Sequence, residues 1–113
     1  MTRQLGFDTL QVHAGNKGDP ATGARQVPIY QTTAFLFKSA EHAARLFNLQ
    51  EIGYIYSRLT NPTVSALAER ITALEGGAGG ICCSSGHAAQ IMALFPLMGP
   101  GKNIVASTRL YGG

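Results

Sequence analysis

With 113 residues and a 45% apolar fraction, the chain has the length and composition of about one small globular domain, which excludes a disordered tail. Its formal net charge of +3 comes from scattered basic residues without a Lys/Arg-rich run, so nucleic acid is not an expected partner. Only 13% of residues are charged, and Gly76 to Leu97 contains no Asp, Glu, Lys or Arg, so this surface is expected to lie against partners or further sequence.

The N-terminal Met1-Thr2-Arg3-Gln4-Leu5-Gly6 is not followed by an apolar signal-peptide core. The longest apolar run, Ile91 to Met98, contains Pro96 and falls well short of the roughly 20 residues a membrane span needs. A cytoplasmic protein without a membrane partner is the expectation. The only cysteines, Cys82 and Cys83, are adjacent; neighbours rarely bridge, and no metal-ligand spacing accompanies them. In a strand they would face opposite sides and pack as small apolar residues.

Residues 1 to about 60 predict one convincing helix among turns and extended stretches. Gly15 to Pro20 and the Thr22-Gly23 pair mark loops, and Gln26 to Phe37 reads as extended chain interrupted by Pro28. Ser39 can cap a helix from about Ala40 to Gln50, with Glu41 in the first turn complementing the dipole. Gly53 breaks it, and Tyr54 to Arg58 reads as a short extended segment.

Residues 61–113 are more regular. Asn61 suits an N-cap and Pro62 the first helical position, where a missing N–H costs nothing. Val64, Leu67, Ala68, Ile71 and Leu74 then recur at helical spacing until Gly76 ends the helix. Gly80 to Ser84 predicts a buried strand, His87 to about Leu94 a helix, and Asn103 to Ser107 a second buried strand. Helix, strand, helix, strand is the opening of an α/β sheet. Two short parallel strands do not make a stable domain, so the chain reads as the start of a longer one.

The sharpest local feature is the strand-to-helix turn Cys83-Ser84-Ser85-Gly86-His87. Unpaired backbone N–H groups and the helix dipole make such a terminus an anion site, and small residues let a phosphate approach. The same pattern also serves as a plain structural cap. Other nucleotide and nucleophile motifs fail on detail. Gly76 to Gly80 precedes its strand, whereas a dinucleotide fingerprint follows one, and neither a G-x-x-x-x-G-K-S/T loop nor G-x-S-x-G is present. Tyr56 and Arg58, two apart in extended chain, point to one face and offer a phenol and a guanidinium fork to phosphate oxygens. A surface aromatic beside an arginine is the plainer alternative. Tyr111 follows the second predicted strand, where α/β sheets bind ligands and an aromatic can stack on a planar ring. His13 and His42 read as surface or hydrogen-bonded histidines without metal-ligand company.

Taken together and in order, these features resemble the Cys/Met-metabolism pyridoxal-phosphate (PLP) dependent family of fold type I, and within it the O-acetylhomoserine sulfhydrylases. The resemblance runs from Phe7-Asp8-Thr9-Leu10-Gln11-Val12-His13-Ala14-Gly15 through Val27-Pro28-Ile29-Tyr30-Gln31-Thr32-Thr33, Gly53-Tyr54-Ile55-Tyr56-Ser57-Arg58 and Asn61-Pro62-Thr63. It continues in Ala73-Leu74-Glu75-Gly76-Gly77, Ser85-Gly86 and Leu110-Tyr111-Gly112-Gly113. The stretch Ala43 to Glu51 before Gly53-Tyr54-Ile55-Tyr56 carries the subgroup resemblance, since the cystathionine- and methionine-cleaving relatives usually have a shorter approach.

The resemblance implies an α/β fold: an N-terminal arm (1–60) reaching a neighbouring subunit's active site, then the first strands and helices of an incomplete PLP-binding large domain (61–113). It implies pyridoxal 5'-phosphate as cofactor, held at Ser85 and by the backbone N–H groups of Gly86 and His87. Tyr56 and Arg58 would reach the phosphate of the neighbouring subunit, in a homotetramer built as a dimer of dimers. Tyr111 would stack on the pyridine ring and serve catalysis by assisting proton transfer or release of the acetyl group. His87 stands where the family pattern usually has Gln or Met, a change that a backbone contact tolerates.

The implied activity of the full-length enzyme is γ-replacement on O-acetylhomoserine by sulfide or a thiol, giving homocysteine or methionine plus acetate. The family's Schiff-base lysine and pyridine-nitrogen aspartate lie downstream of the Tyr-Gly-Gly segment and are not assigned to this chain. The alternatives are a cystathionine γ-synthase, cystathionine γ-lyase or methionine γ-lyase relative, and a short non-catalytic interaction module. A stop codon directly after Gly113 would favour the module.

Overall fold

The computed structural model describes residues 5–112, so Met1 to Gln4 and Gly113, the last residue of the Tyr-Gly-Gly segment, lie outside it. The chain forms two units, Met1–Cys82 and Cys83–Gly113.

The first unit holds three helices: α1 (Phe7–His13), α2 (Ala40–Phe47) and α3 (Pro62–Glu75). Helix α1 was not expected from the sequence. Gly6 gives it no side-chain cap, and Thr9 and Val12 are β-branched, so local propensity is poor. Its stability comes from docking on α3. Arg70 donates through Nε to the carbonyl of Ala14, 2.9 Å away, and so satisfies a carbonyl at the C-terminal end of α1. Gly15 turns the chain away in the left-handed region, φ +69°, where an added Cβ would collide with the carbonyl of Ala66.

Helix α2 begins where the sequence predicts. Ser39 accepts from the His42 N–H at 3.1 Å, and Glu41 lies in the first turn. It ends at Phe47, earlier than expected, because the chain folds back and Gln50 N–H bonds the Arg45 carbonyl at 2.9 Å. The returning segment covers Leu46, the one buried apolar side chain among the described residues. Gly53 leaves room for it: a Cβ here would stand 2.8 Å from Leu46 Cδ2, so the leucine end would have to shift.

The same return brings Glu51 to Arg45, with Nε to Oε2 at 2.9 Å, and to His42, with Nε2 to Oε1 at 3.5 Å. The hydrogen bond from Arg45 holds the Glu51 carboxyl below the ordinary glutamate range, against a smaller opposing effect of burial. Because the folded pKa is depressed, this link contributes fully above the ordinary glutamate pKa of about 4.3 and is lost as pH falls through the lower folded value. In a carbon-detected NMR titration, the Glu51 side-chain carboxyl should titrate below the ordinary glutamate value, and Arg45→Ala should raise its midpoint toward that value. A midpoint unmoved by Arg45→Ala would count against the link.

Helix α3 follows the predicted pattern closely. Asn61 accepts from Thr63 N–H at 2.9 Å, Pro62 opens the helix, and Gly76 closes it in the left-handed region at φ +65°. The second unit holds α4 (Gly86–Leu94), capped by Ser85, which accepts from Ala88 N–H at 3.1 Å, and a 3₁₀ turn at Phe95–Leu97.

The two predicted strands are the main departure. Residues 80–84 and 103–107 enter no ladder, and among the described residues the only β pairing is an isolated antiparallel bridge between Ala34 and Tyr56. Ile81 is 81% exposed and Val105 fully exposed, so neither segment is buried. Apolar runs of this kind become buried strands only when neighbouring strands supply hydrogen bonds and helices cover both faces. Cys82 and Cys83 are accordingly free and exposed instead of packed. Among the described residues no helix is long and apolar enough to cross a membrane.

Candidate functional site

The predicted residues fall into two groups, one in each unit. In the first, Tyr56 sits on the isolated bridge. Phe35 N–H donates to the Ile55 carbonyl at 3.1 Å, and Ser57 N–H donates to the Thr33 carbonyl at 2.8 Å. The extended reading ends there. Leu59 and Thr60 both donate to the Tyr56 carbonyl, at 2.9 and 3.1 Å, so Arg58 rides on a turn and not a strand. Even so, the two side chains share a face: the Arg58 guanidinium carbon lies 5.4 Å from the centroid of the Tyr56 ring. This separation is a cation–π contact between the guanidinium and the phenol ring. Among the described residues no carboxylate is within ion-pair distance of Arg58, so its donors are available to an anion.

In the second unit, the first turn of α4 is open. Ser85 takes the Ala88 N–H on its side chain and the Ala89 N–H on its carbonyl, whereas the N–H groups of Gly86 and His87 have no acceptor among the described residues. A Cβ built on Gly86 would meet nothing within 4 Å. Two unpaired N–H groups, a serine hydroxyl still able to donate and the positive end of a helix form a donor set that fits a phosphate. Tyr111 lies beside this turn, its ring centroid 5.4 Å from that of His87 at an interplanar angle of 53°. Tilted aromatic pairs at such separations are favourable. Within this unit, the structure therefore brings together Ser85, Gly86, His87 and Tyr111, which lie 26 residues apart at the extremes.

A cleft of about 460 Å³ in the first unit is a separate feature. It is lined by Gly15, Tyr30, Phe35, Tyr54, Pro62 and Glu69 among others, but by neither Tyr56 nor Arg58. The chemistry-bearing side chains lie elsewhere, and geometry outranks cavity size here. Among the described residues no group of three or more His, Cys, Asp or Glu side chains could hold a metal.

Sequence reasoning missed the residues that hold the Tyr56–Arg58 turn. Asn61, 6% exposed, donates to the Tyr30 carbonyl at 2.9 Å and to Ser57 Oγ at 3.0 Å, and Ser57 in turn donates to the Thr32 carbonyl. Thr63 Oγ1 accepts from Tyr30 N–H at 2.9 Å and donates to the Pro28 carbonyl at 2.8 Å. The cap position of Asn61 was legible. Its second role depends on partners some 30 residues away that no local pattern reveals.

Three helices followed by an open helix N-terminus, in this chain order, match the first part of a fold type I PLP enzyme. Structural comparison bears this out. A crystal structure named for an O-acetylhomoserine (thiol)-lyase from Campylobacter jejuni superposes with a TM-score of 0.85 at 44% identity, covering 96% of this chain and 27% of that one. That protein carries N'-pyridoxyl-lysine-5'-monophosphate at its position 205. A cystathionine gamma synthase from Xanthomonas oryzae gives 0.70 at 33% identity, over 82% of this chain and 22% of the other.

The chain belongs to the Cys/Met metabolism PLP-dependent enzyme family, whose model matches residues 8–113. An O-acetyl-L-homoserine sulfhydrylase from Thermus thermophilus is 57% identical over 107 residues, which is 95% of this chain and 25% of the relative. The chain thus spans about a quarter of the length of the curated relatives it matches.

Proposed function

We propose that the full-length enzyme carrying this segment converts O-acetylhomoserine plus sulfide, or a thiol, into homocysteine or methionine plus acetate. The observation that carries the reading is the open turn at Ser85, Gly86 and His87 with Tyr111 beside it, in a chain of a PLP-dependent family. Pyridoxal phosphate, when bound, supplies an electron sink for bond changes at the carbons of an amino-acid substrate. The chain's own part is to hold it. Gly86 and His87 would hold its phosphate with their backbone N–H groups, and the α4 dipole would favour the negative charge. Tyr111, with the His87 imidazole against it, would stack on the ring and assist proton transfer or release of the acetyl group.

Tyr56 and Arg58 belong, in this reading, to the phosphate grip of a neighbouring subunit, in a tetramer made of two dimers working in the cytoplasm. The sulfhydrylase assignment over a cystathionine enzyme is supported by the stronger structural agreement, 0.85 against 0.70. Assaying the full-length gene product for acetate release decides between them. Sulfide-dependent consumption of O-acetylhomoserine is expected, with cystathionine a poor substrate. The reverse preference would overturn the reading. The isolated 113-residue chain is expected to show no turnover, and measurable product from it would contradict the assignment of catalysis to the longer enzyme.

A further inference from the structure

We infer that Asn61 and Ser57 are positioning residues for the phosphate-facing pair Tyr56 and Arg58, fixing the turn between them before any ligand arrives. The inference rests on the reading that Tyr56 and Arg58 grip a phosphate, and it names what aims them.

The argument begins with the polar atoms of Asn61. The residue is 6% exposed, and unmet hydrogen-bonding groups in such a place are costly. All three of its main capacities are used: Oδ1 accepts from Thr63 N–H at 2.9 Å, and Nδ2 donates to the Tyr30 carbonyl at 2.9 Å and to Ser57 Oγ at 3.0 Å. An N-cap needs only the first of these. The other two tie the start of α3 to the extended segment at Tyr30 and to the residue between Tyr56 and Arg58. Ser57 continues the chain of bonds by donating to the Thr32 carbonyl, while its own N–H donates to the Thr33 carbonyl at 2.8 Å. Ser57 is therefore held through both hydroxyl and backbone.

The residues on either side of Ser57 are not anchored in this way. Arg58 and the Tyr56 phenol have no side-chain hydrogen-bond partner among the described residues, and their mutual stacking at 5.4 Å is a soft contact. Their direction is set by the backbone between them, which is the part Asn61 and Ser57 clamp. Preorganisation of this kind lowers the ordering cost of binding, so its loss should appear in ligand affinity before it appears in the chemical step.

Two substitutions separate the cap from the clamp. Asn61→Asp keeps the acceptor for Thr63 N–H but removes the donors to Tyr30 and Ser57. Ser57→Ala removes the hydroxyl link and leaves the whole Asn61 cap in place, which covers the case in which the Asp variant folds poorly. The full-length holoenzyme is resolved to the apo form and titrated with pyridoxal phosphate, and thermal unfolding of each apo form is recorded alongside. Both variants should weaken cofactor binding about tenfold. Substrate KM at saturating cofactor should stay within about twofold, and Ser57→Thr, which keeps the hydroxyl, should restore the affinity.

Arg58→Ala serves as the reference for the underlying reading. If Arg58→Ala weakens the cofactor but Ser57→Ala binds it as tightly as the unmodified enzyme, the clamp is overturned and the phosphate reading stands. If Arg58→Ala also binds normally, the phosphate reading fails and the clamp fails with it.

Discussion

Replacing Gly15 by alanine should undock α1 from α3 and cost about 3 kcal/mol of local stability, the largest structural effect expected of a one-carbon change in this chain. Two costs combine. The residue sits at φ +69°, where an L side chain is strained by roughly 1 kcal/mol or more. In addition, the new Cβ would stand 2.2 Å from the Ala66 carbonyl oxygen and 3.1 Å from its carbon. These are backbone atoms inside a 14-residue helix, so relief requires moving α1, not rotating a side chain.

Gly23 separates the two costs. Its φ is +74°, but a Cβ there meets nothing within 4 Å, so Gly23→Ala should lose only about 1 kcal/mol from backbone strain. Hydrogen exchange reads the difference directly. The Leu10 and Ala14 amides, bonded to the Gly6 and Leu10 carbonyls at 3.0 Å, report whether α1 is intact. In Gly15→Ala their exchange should accelerate about a hundredfold, as opening of α1 becomes cheaper. Equal effects of the two substitutions would show that collision with Ala66 is not what makes glycine necessary.

The contrast between α1 and the other helices explains how far the sequence could be read. Ser39, Asn61, Ser85 and Gly76 were legible because each acts on a backbone group within four residues, through a side-chain oxygen or a left-handed turn. Helix α1 has no such signal, and what holds it is Arg70, a partner 56 residues away in sequence. The clamp on the Tyr56–Arg58 turn escaped notice for the same reason: Asn61 reaches Tyr30 across 31 positions. Residues 80–84 and 103–107 failed in the opposite direction. Ile81, Ile104 and Val105 have the apolar composition of buried strands, but a composition suited to burial does not provide the ladder that buries it. The family resemblance supplied what local chemistry could not, since Tyr56, Arg58, Ser85 and Tyr111 are each weak signals whose order carries the information.

Gly86→Ala should separate the two meanings of the α4 N-terminus, stabilising the helix while damaging the ligand site. As a purely structural cap, the turn depends on Ser85, whose side chain and carbonyl take the Ala88 and Ala89 N–H groups. Gly86 adds nothing to that. It occupies the first helical position, its φ is not in the left-handed region, and a Cβ there meets no atom of the chain within 4 Å. Alanine is the better helix former by up to about 1 kcal/mol, so the substitution should leave thermal stability unchanged or raised. If a phosphate docks against the Gly86 and His87 N–H groups, however, the added methyl stands at the entrance to that docking surface. Disturbing one charge-assisted hydrogen bond would weaken cofactor binding about ten- to a hundredfold. Equilibrium titration of the full-length apoenzyme with pyridoxal phosphate, paired with its melting curve, measures both quantities on one sample. A variant that melts no lower but binds much more weakly marks Gly86 as a ligand contact. A variant that melts higher and binds as before shows that the ligand does not approach the Cα side of Gly86, and the special need for glycine there falls.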